Sequence, residues 1–259
     1  MATPNALVLR AAGTNCDRET EFALQQAGFA ARREHVFRLM DSPATLAEVQ
    51  FLVIPGGFSY GDDIASGKIL ANQMLHRIAD ALNQFVQADK LVLGICNGFQ
   101  IMVKSGLLPW GNVQVNQAHR DATLAWNDSG RFEDRWVHLR CDSDRCVFLP
   151  KGEIVALPMA HGEGKFVPRE PAVLDRLRAD DQIALRYTDA AGKPGPYPVN
   201  PNGSTDDIAG VCDPTGRILG LMPHPERFTD ITHHPQWTRG HVTRADGRLF
   251  FDCARKYFA

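Results

Sequence analysis

Nothing among the 259 residues approaches an apolar run long enough to cross a membrane. An excess of basic charge is missing as well: 28 Lys and Arg stand against 30 Asp and Glu, and the pI is near 6.5. That balance argues against a nucleic-acid partner and against a membrane-surface partner. The six cysteines, Cys16, Cys96, Cys141, Cys146, Cys212 and Cys253, contain no Cys-x-x-Cys pair. Their spacing therefore describes neither a disulfide framework nor a zinc knuckle, and reduced thiols are expected. The opening "MATPNALVLR" lacks the charged and apolar regions of a secretory signal, so a cytoplasmic location is expected. His233 and His234 have no second ligand cluster at zinc-like spacing, and no metal is expected. There is no internal repeat and no low-complexity linker, so a single domain over residues 1–259 is expected.

What the chain does contain, in its first half, is alternation. "ALVLRA" (6–11), "FLVIPGG" (51–57) and "KLVLGI" (90–95) are short apolar runs, each followed by a stretch that suits a helix. The first such stretch, from about Arg18 to Ala27, stops at Gly28. Within 67–87, Leu75, Ile78, Leu82 and Phe85 recur at steps of three and four and draw one helix face. Continuous apolar strands separated by helices predict a mostly parallel sheet covered on both faces, which binds its ligand at the carboxyl ends of the strands. After Trp110 the pattern loosens into extended segments, which predicts a smaller mixed β extension, with helices over "EPAVLDRLRAD" and "DGRLFFDCARKYF".

Gly94-Ile95-Cys96-Asn97-Gly98 has the spacing of a nucleophile elbow set between a strand and a helix. Flanking glycines permit a tight turn, and the following helix start favours a thiolate and can stabilise an oxyanion. The bland alternative is a buried packing cysteine, which is what most cytosolic cysteines are. Strand, elbow and helix in the required order favour the reactive reading. Cys16, in "GTNCDRET", also sits in a strand-to-helix loop but lacks the glycines.

A nucleophilic thiol needs a base, and the base needs an orienting group. Two stretches offer both: His161-Gly-Glu163 and His224-Pro-Glu226. In an extended segment, residues two apart share a face, so either pair places a carboxylate beside its imidazole. Spacing alone does not separate them.

"GTNCDRE", "IPGGFSYGDD", "GICNGFQ", "NDSGRFEDR", "AHGEG", "NPNGS" and "GLMPHPER", in that order along nearly the whole chain, resemble the class I (triad) glutamine amidotransferases. Among these the chain is most similar to the glutaminase components of phosphoribosylformylglycinamidine synthases. The resemblance implies a flavodoxin-like α/β fold and a reaction in which Cys96 attacks the side-chain amide of L-glutamine, releasing ammonia and leaving a thioester. It implies His224 as base and acid, Glu226 as its orienting carboxylate, and the backbone N–H groups of Gly57 and Asn97 as the oxyanion hole. It also implies Gln100 as a substrate contact, with His161 and Glu163 lining the site or meeting a partner.

Amidine formation needs ATP, yet no G-x-x-x-x-G-K-[ST] loop is present; "GDDIASGKI" has one residue too many and Ile69 where Ser or Thr belongs. No cofactor is expected on this chain. The resemblance places ATP and Mg on a large synthetase subunit that converts formylglycinamide ribonucleotide to its amidine, with a small adaptor subunit beside it. Two competing enzymes are a triad glutaminase of another synthetase and a stand-alone γ-glutamyl hydrolase. A silent regulatory subunit is the reading from another class, and it would have lost Cys96, His224 or Glu226.

Overall fold

Apolar runs of four to six residues, bounded by Gly and polar turns, become strands wherever helices cover both faces. The computed structural model describes residues 3–113 and 120–259. Its first half runs β1 (Asn5–Arg10), α1 (Asp17–Gln26), β2 (Ala30–His35), α2 (Val36–Asp41), β3 (Phe51–Ile54), α3 (Lys68–Arg77), α4 (Ala79–Gln87), β4 (Leu91–Ile95) and α5 (Asn97–Ser105). The second half adds β5 (Ala122–Trp126), β6 (Glu133–Cys141), β7 (Ile154–His161), β8 (Glu163–Pro168), α6 (Pro171–Ala179), β9 (Ile183–Thr188), β10 (Ile208–Cys212), β11 (Ile218–Leu221) and α7 (Arg248–Tyr257).

Nine strands form one sheet in the order β2-β1-β3-β4-β11-β10-β9-β6-β7, and β5 pairs with β8 in a separate ribbon. The pairings from β2 to β11 are parallel, and those from β11 to β7 are antiparallel. Every residue of β3, β4, β10 and β11 is buried, as expected of strands sandwiched between layers. The arrangement matches the α/β class that the alternation predicts, with the antiparallel half as its mixed extension.

Two details depart from the sequence reading. The helix read across 67–87 is two helices, because Ile78 leaves helical backbone at φ −137° and ends α3 as α4 begins. The apolar periodicity survives the break, since Leu75, Ile78, Leu82 and Phe85 all remain buried. β2, with the sequence AARREH, carries no apolar alternation, because it is the edge strand beside β1. Charged side chains on an edge discourage further strand pairing.

Candidate active site

The carboxyl ends of β3, β4 and β11 converge on one partly open cavity of about 230 Å³, lined by Gly57, Cys96, Gln100, His161, His224 and Arg227 among others. A larger groove of about 900 Å³ beside α3 and α4 contains neither of the two His-x-Glu pairs nor any cysteine.

Cys96 joins β4 to α5 at φ 52°, ψ −106°, a left-handed conformation costing about 1–3 kcal/mol for a residue with a side chain. Its N–H donates to the Leu221 carbonyl at 2.8 Å, which ties the elbow to the end of the neighbouring strand β11. The cysteine itself, and not its glycine neighbours, takes the positive φ; the glycines serve close packing. A Cβ on Gly98 would lie 1.8 Å from the Ile54 carbonyl oxygen, and one on Gly94 would lie 2.2 Å from Met102 Sδ. Their spacing in the sequence suggests instead a role in the turn, which neither glycine has at its φ. Gly98→Ala is therefore expected to push α5 off β3, lowering stability by about 3 kcal/mol and displacing the Cys96 elbow. A shift in denaturant midpoint at constant slope measures the first effect.

Asn97 opens α5, so its N–H has no partner within the helix. Its side chain holds the facing loop: Oδ1 accepts from the Ser59 N–H, and Nδ2 donates to Asp62 and to Gln100 Oε1. Gly57, in that loop, sits at φ 137°, and a Cβ there would lie 2.7 Å from the Asn15 nitrogen. Gln100 lines the cavity, but its amide is engaged: Oε1 accepts from Asn97 and Nε2 donates to the Glu163 carbonyl.

The geometry separates the two His-x-Glu pairs. His224 Nδ1 lies 2.6 Å from Glu226 Oε1, with both side chains buried, and Nε2 has no hydrogen-bond partner among the described residues. The pairing arises at a 3-10 turn over Pro225–Arg227, not in an extended strand as the spacing argument assumed. The His224 N–H donates to the Pro158 carbonyl at 2.8 Å and anchors the turn on β7. Burial alone would lower the His224 pKa, but the Glu226 carboxylate, followed by the Cys96 and Cys16 thiols, holds it well above the usual imidazole range. His161 does not pair with Glu163: its Nδ1 faces Asn127 Oδ1 at 3.1 Å, while Glu163 turns toward Lys104 at 3.9 Å.

Cys16 is also in the cavity, buried behind the imidazole with Sγ 3.9 Å from His224 Nδ1. That nitrogen is already held by Glu226, so the free imidazole edge is not available to Cys16. Arg227 donates to the Cys16 sulfur at 3.1 Å, yet burial keeps this thiol's pKa raised. Cys16, His224 and Glu226 place one ligand atom each within 4.8 Å of one another, but the Arg227 cation against the sulfur opposes a metal there. All six cysteines are free thiols. His234 packs its ring against Trp136, 4.3 Å between centroids.

Arg227 and Asn127 were not singled out by the sequence reading. Both stand inside stretches that carry the resemblance, Asn127 at the head of "NDSGRFEDR" and Arg227 at the end of "GLMPHPER", but the stretch alone does not say what either touches: Asn127 acts across 34 residues and Arg227 across 211.

A thiol lifted between strand and helix, set against an imidazole whose far nitrogen is held by a buried carboxylate, is the equipment of a cysteine-dependent amide-cleaving enzyme. The family described as CobB/CobQ-like glutamine amidotransferase domain matches residues 3–258. A phosphoribosylformylglycinamidine synthase subunit PurQ from Dehalococcoides mccartyi is 43% identical, covering 99% of this chain and 98% of that one. A Methanococcus maripaludis protein of the same name is 41% identical over 90% of this chain and 86% of its own. The structure of PurLQS from Thermotoga maritima contains a chain that matches at TM-score 0.75 and 31% identity over the full length of both. The chain belongs to the glutamine amidotransferases and, among them, to the PurQ family of phosphoribosylformylglycinamidine synthase subunits. It is an amidotransferase enzyme of α/β fold.

Proposed function

We propose that this chain is the glutaminase subunit of phosphoribosylformylglycinamidine synthase, in de novo purine biosynthesis. The observation that carries the proposal is the Cys96 elbow sharing one cavity with an imidazole whose Nδ1 is fixed by Glu226. Cys96 attacks the side-chain amide carbon of L-glutamine. His224 carries the thiol proton as an imidazolium and delivers it to the departing nitrogen, and Glu226 keeps Nε2 aimed at the cavity. The N–H groups of Gly57 and Asn97 receive the developing oxyanion. Water then cleaves the glutamyl thioester by the same route. Gln100, with its amide bound to Asn97 and Glu163, shapes the substrate wall.

The whole chain acts as one catalytic domain, without a cofactor of its own. ATP and Mg belong to the large synthetase subunit, which with a small adaptor receives the ammonia; full-length likeness to a chain of PurLQS supports that assembly. The cavity mouth supports it too: Phe58 and Phe132 line it, are about half exposed and stack at 6.4 Å, an apolar rim suited to a docked subunit. No helix of the described residues is long and apolar enough to cross a membrane, which accords with the proposed cytoplasmic location.

Mixing the chain with its synthetase, ATP and formylglycinamide ribonucleotide is the test. Glutamine-dependent amidine formation is expected, with glutamine hydrolysis faster than for the chain alone because docking orders the oxyanion loop. Equal hydrolysis rates with and without the synthetase would refute the activation, and amidine formation that ignores glutamine would refute the assignment.

A further inference from the structure

His161 stands outside the cysteine, imidazole and carboxylate set, yet its neighbours hold it in one chemical form. Asn127 donates its amide N–H groups to the carbonyls of Arg131 at 2.9 Å and His161 at 2.8 Å. Its Oδ1 is thereby turned to face His161 Nδ1. An amide oxygen only accepts, so the proton must be on Nδ1 and Nε2 presents a bare lone pair. Burial, helped by the nearby His224, pushes the His161 pKa down to about 3, so the ring stays neutral at physiological pH. A Cβ on Gly164 would come within 2.1 Å of the His161 ring, so only glycine leaves room for the ring as it lies.

The lone pair of Nε2 is buried, and no hydrogen-bond donor meets it among the described residues. Leaving such an acceptor unmet costs about 1–3 kcal/mol, a cost removed when a ligand donates to it. The ring lines the same cavity as Cys96, and the preceding carbonyl, that of Ala160, is 3.8 Å from Cys96 Sγ. Asp62 and Arg227, in the same wall, offer charges for the ammonium and carboxylate of an amino acid. The donor left over on glutamine is its side-chain amide.

We propose that His161 Nε2 accepts a hydrogen bond from the side-chain amide nitrogen of bound glutamine, the nitrogen that leaves as ammonia. The proposal rests on the glutaminase reading above. A neutral acceptor that does not protonate holds this nitrogen through bond cleavage and takes no proton from it. The proton that completes ammonia comes from His224, and the product departs uncharged and nucleophilic.

The γ-methyl ester of glutamate separates this role from any other, because its leaving atom is an oxygen with no N–H to donate. In the assembled enzyme, His161→Ala and the bulkier His161→Phe are expected to lower kcat/KM for glutamine about tenfold or more, while changing it for the ester less than about threefold. Equal losses on the two substrates would overturn the proposal and leave the glutaminase reading intact, since a role in folding or in binding the α-groups affects both alike. A wild-type enzyme that cleaves neither substrate would overturn both.

Discussion

Cys96→Ala is expected to abolish glutamine-dependent amidine formation, with a loss of at least about 10⁴-fold, while amidine formation from added ammonia by the same complex stays near the wild-type rate. The reason is chemical and local. Removing the sulfur removes the proposed attacking atom, and Cys16 does not replace it, because it faces the imidazole nitrogen that Glu226 already occupies. The fold should survive: the elbow is tied by a backbone hydrogen bond from Cys96 to Leu221, which alanine keeps. Alanine must still adopt φ 52°, so a modest fall in thermal midpoint is expected. Loss of both activities would mean that the residue supports the assembly and not the hydrolysis.

The second large effect concerns the imidazole. His224→Ala is expected to cut glutamine hydrolysis about 10³-fold or more, and Glu226→Gln by about 10²-fold, because the amide keeps the side-chain volume but cannot stabilise the imidazolium. Combining the two should cost no more than His224→Ala alone, since Glu226 acts only through the ring. Initial rates of ammonia release across the three variants measure this, and additive losses would give Glu226 a separate role. His161→Ala should do far less damage than His224→Ala; the reverse order would exchange the two histidines' assignments.

Much of this site was legible along the chain because its most telling parts are local. Strand, cysteine and helix fall within residues 91–105, and the His224 and Glu226 partners are two residues apart. The rest required three dimensions. His161-Gly-Glu163 and His224-Pro-Glu226 look equivalent in sequence; they differ because β7 delivers His161 to Asn127, and because Lys104, reaching out from α5, draws Glu163 away. The role of Gly98, in α5, is likewise set by Ile54 at the end of β3, and not by the turn beside it. In the fold, buried strands announced themselves, whereas the charged edge β2 did not, since it has no apolar pattern, nor did the break at Ile78, since it interrupts none.

The parallel pairing of β4 with β11 sets Ile95 opposite Leu221, so Cys96 and His224 emerge from adjacent strand ends. Their separation depends on that register and not on the amount of chain between them. The intervening chain contributes α5, β7 and Asn127 to the cavity, so only the loops of that stretch that stay clear of these elements can change length without disturbing it.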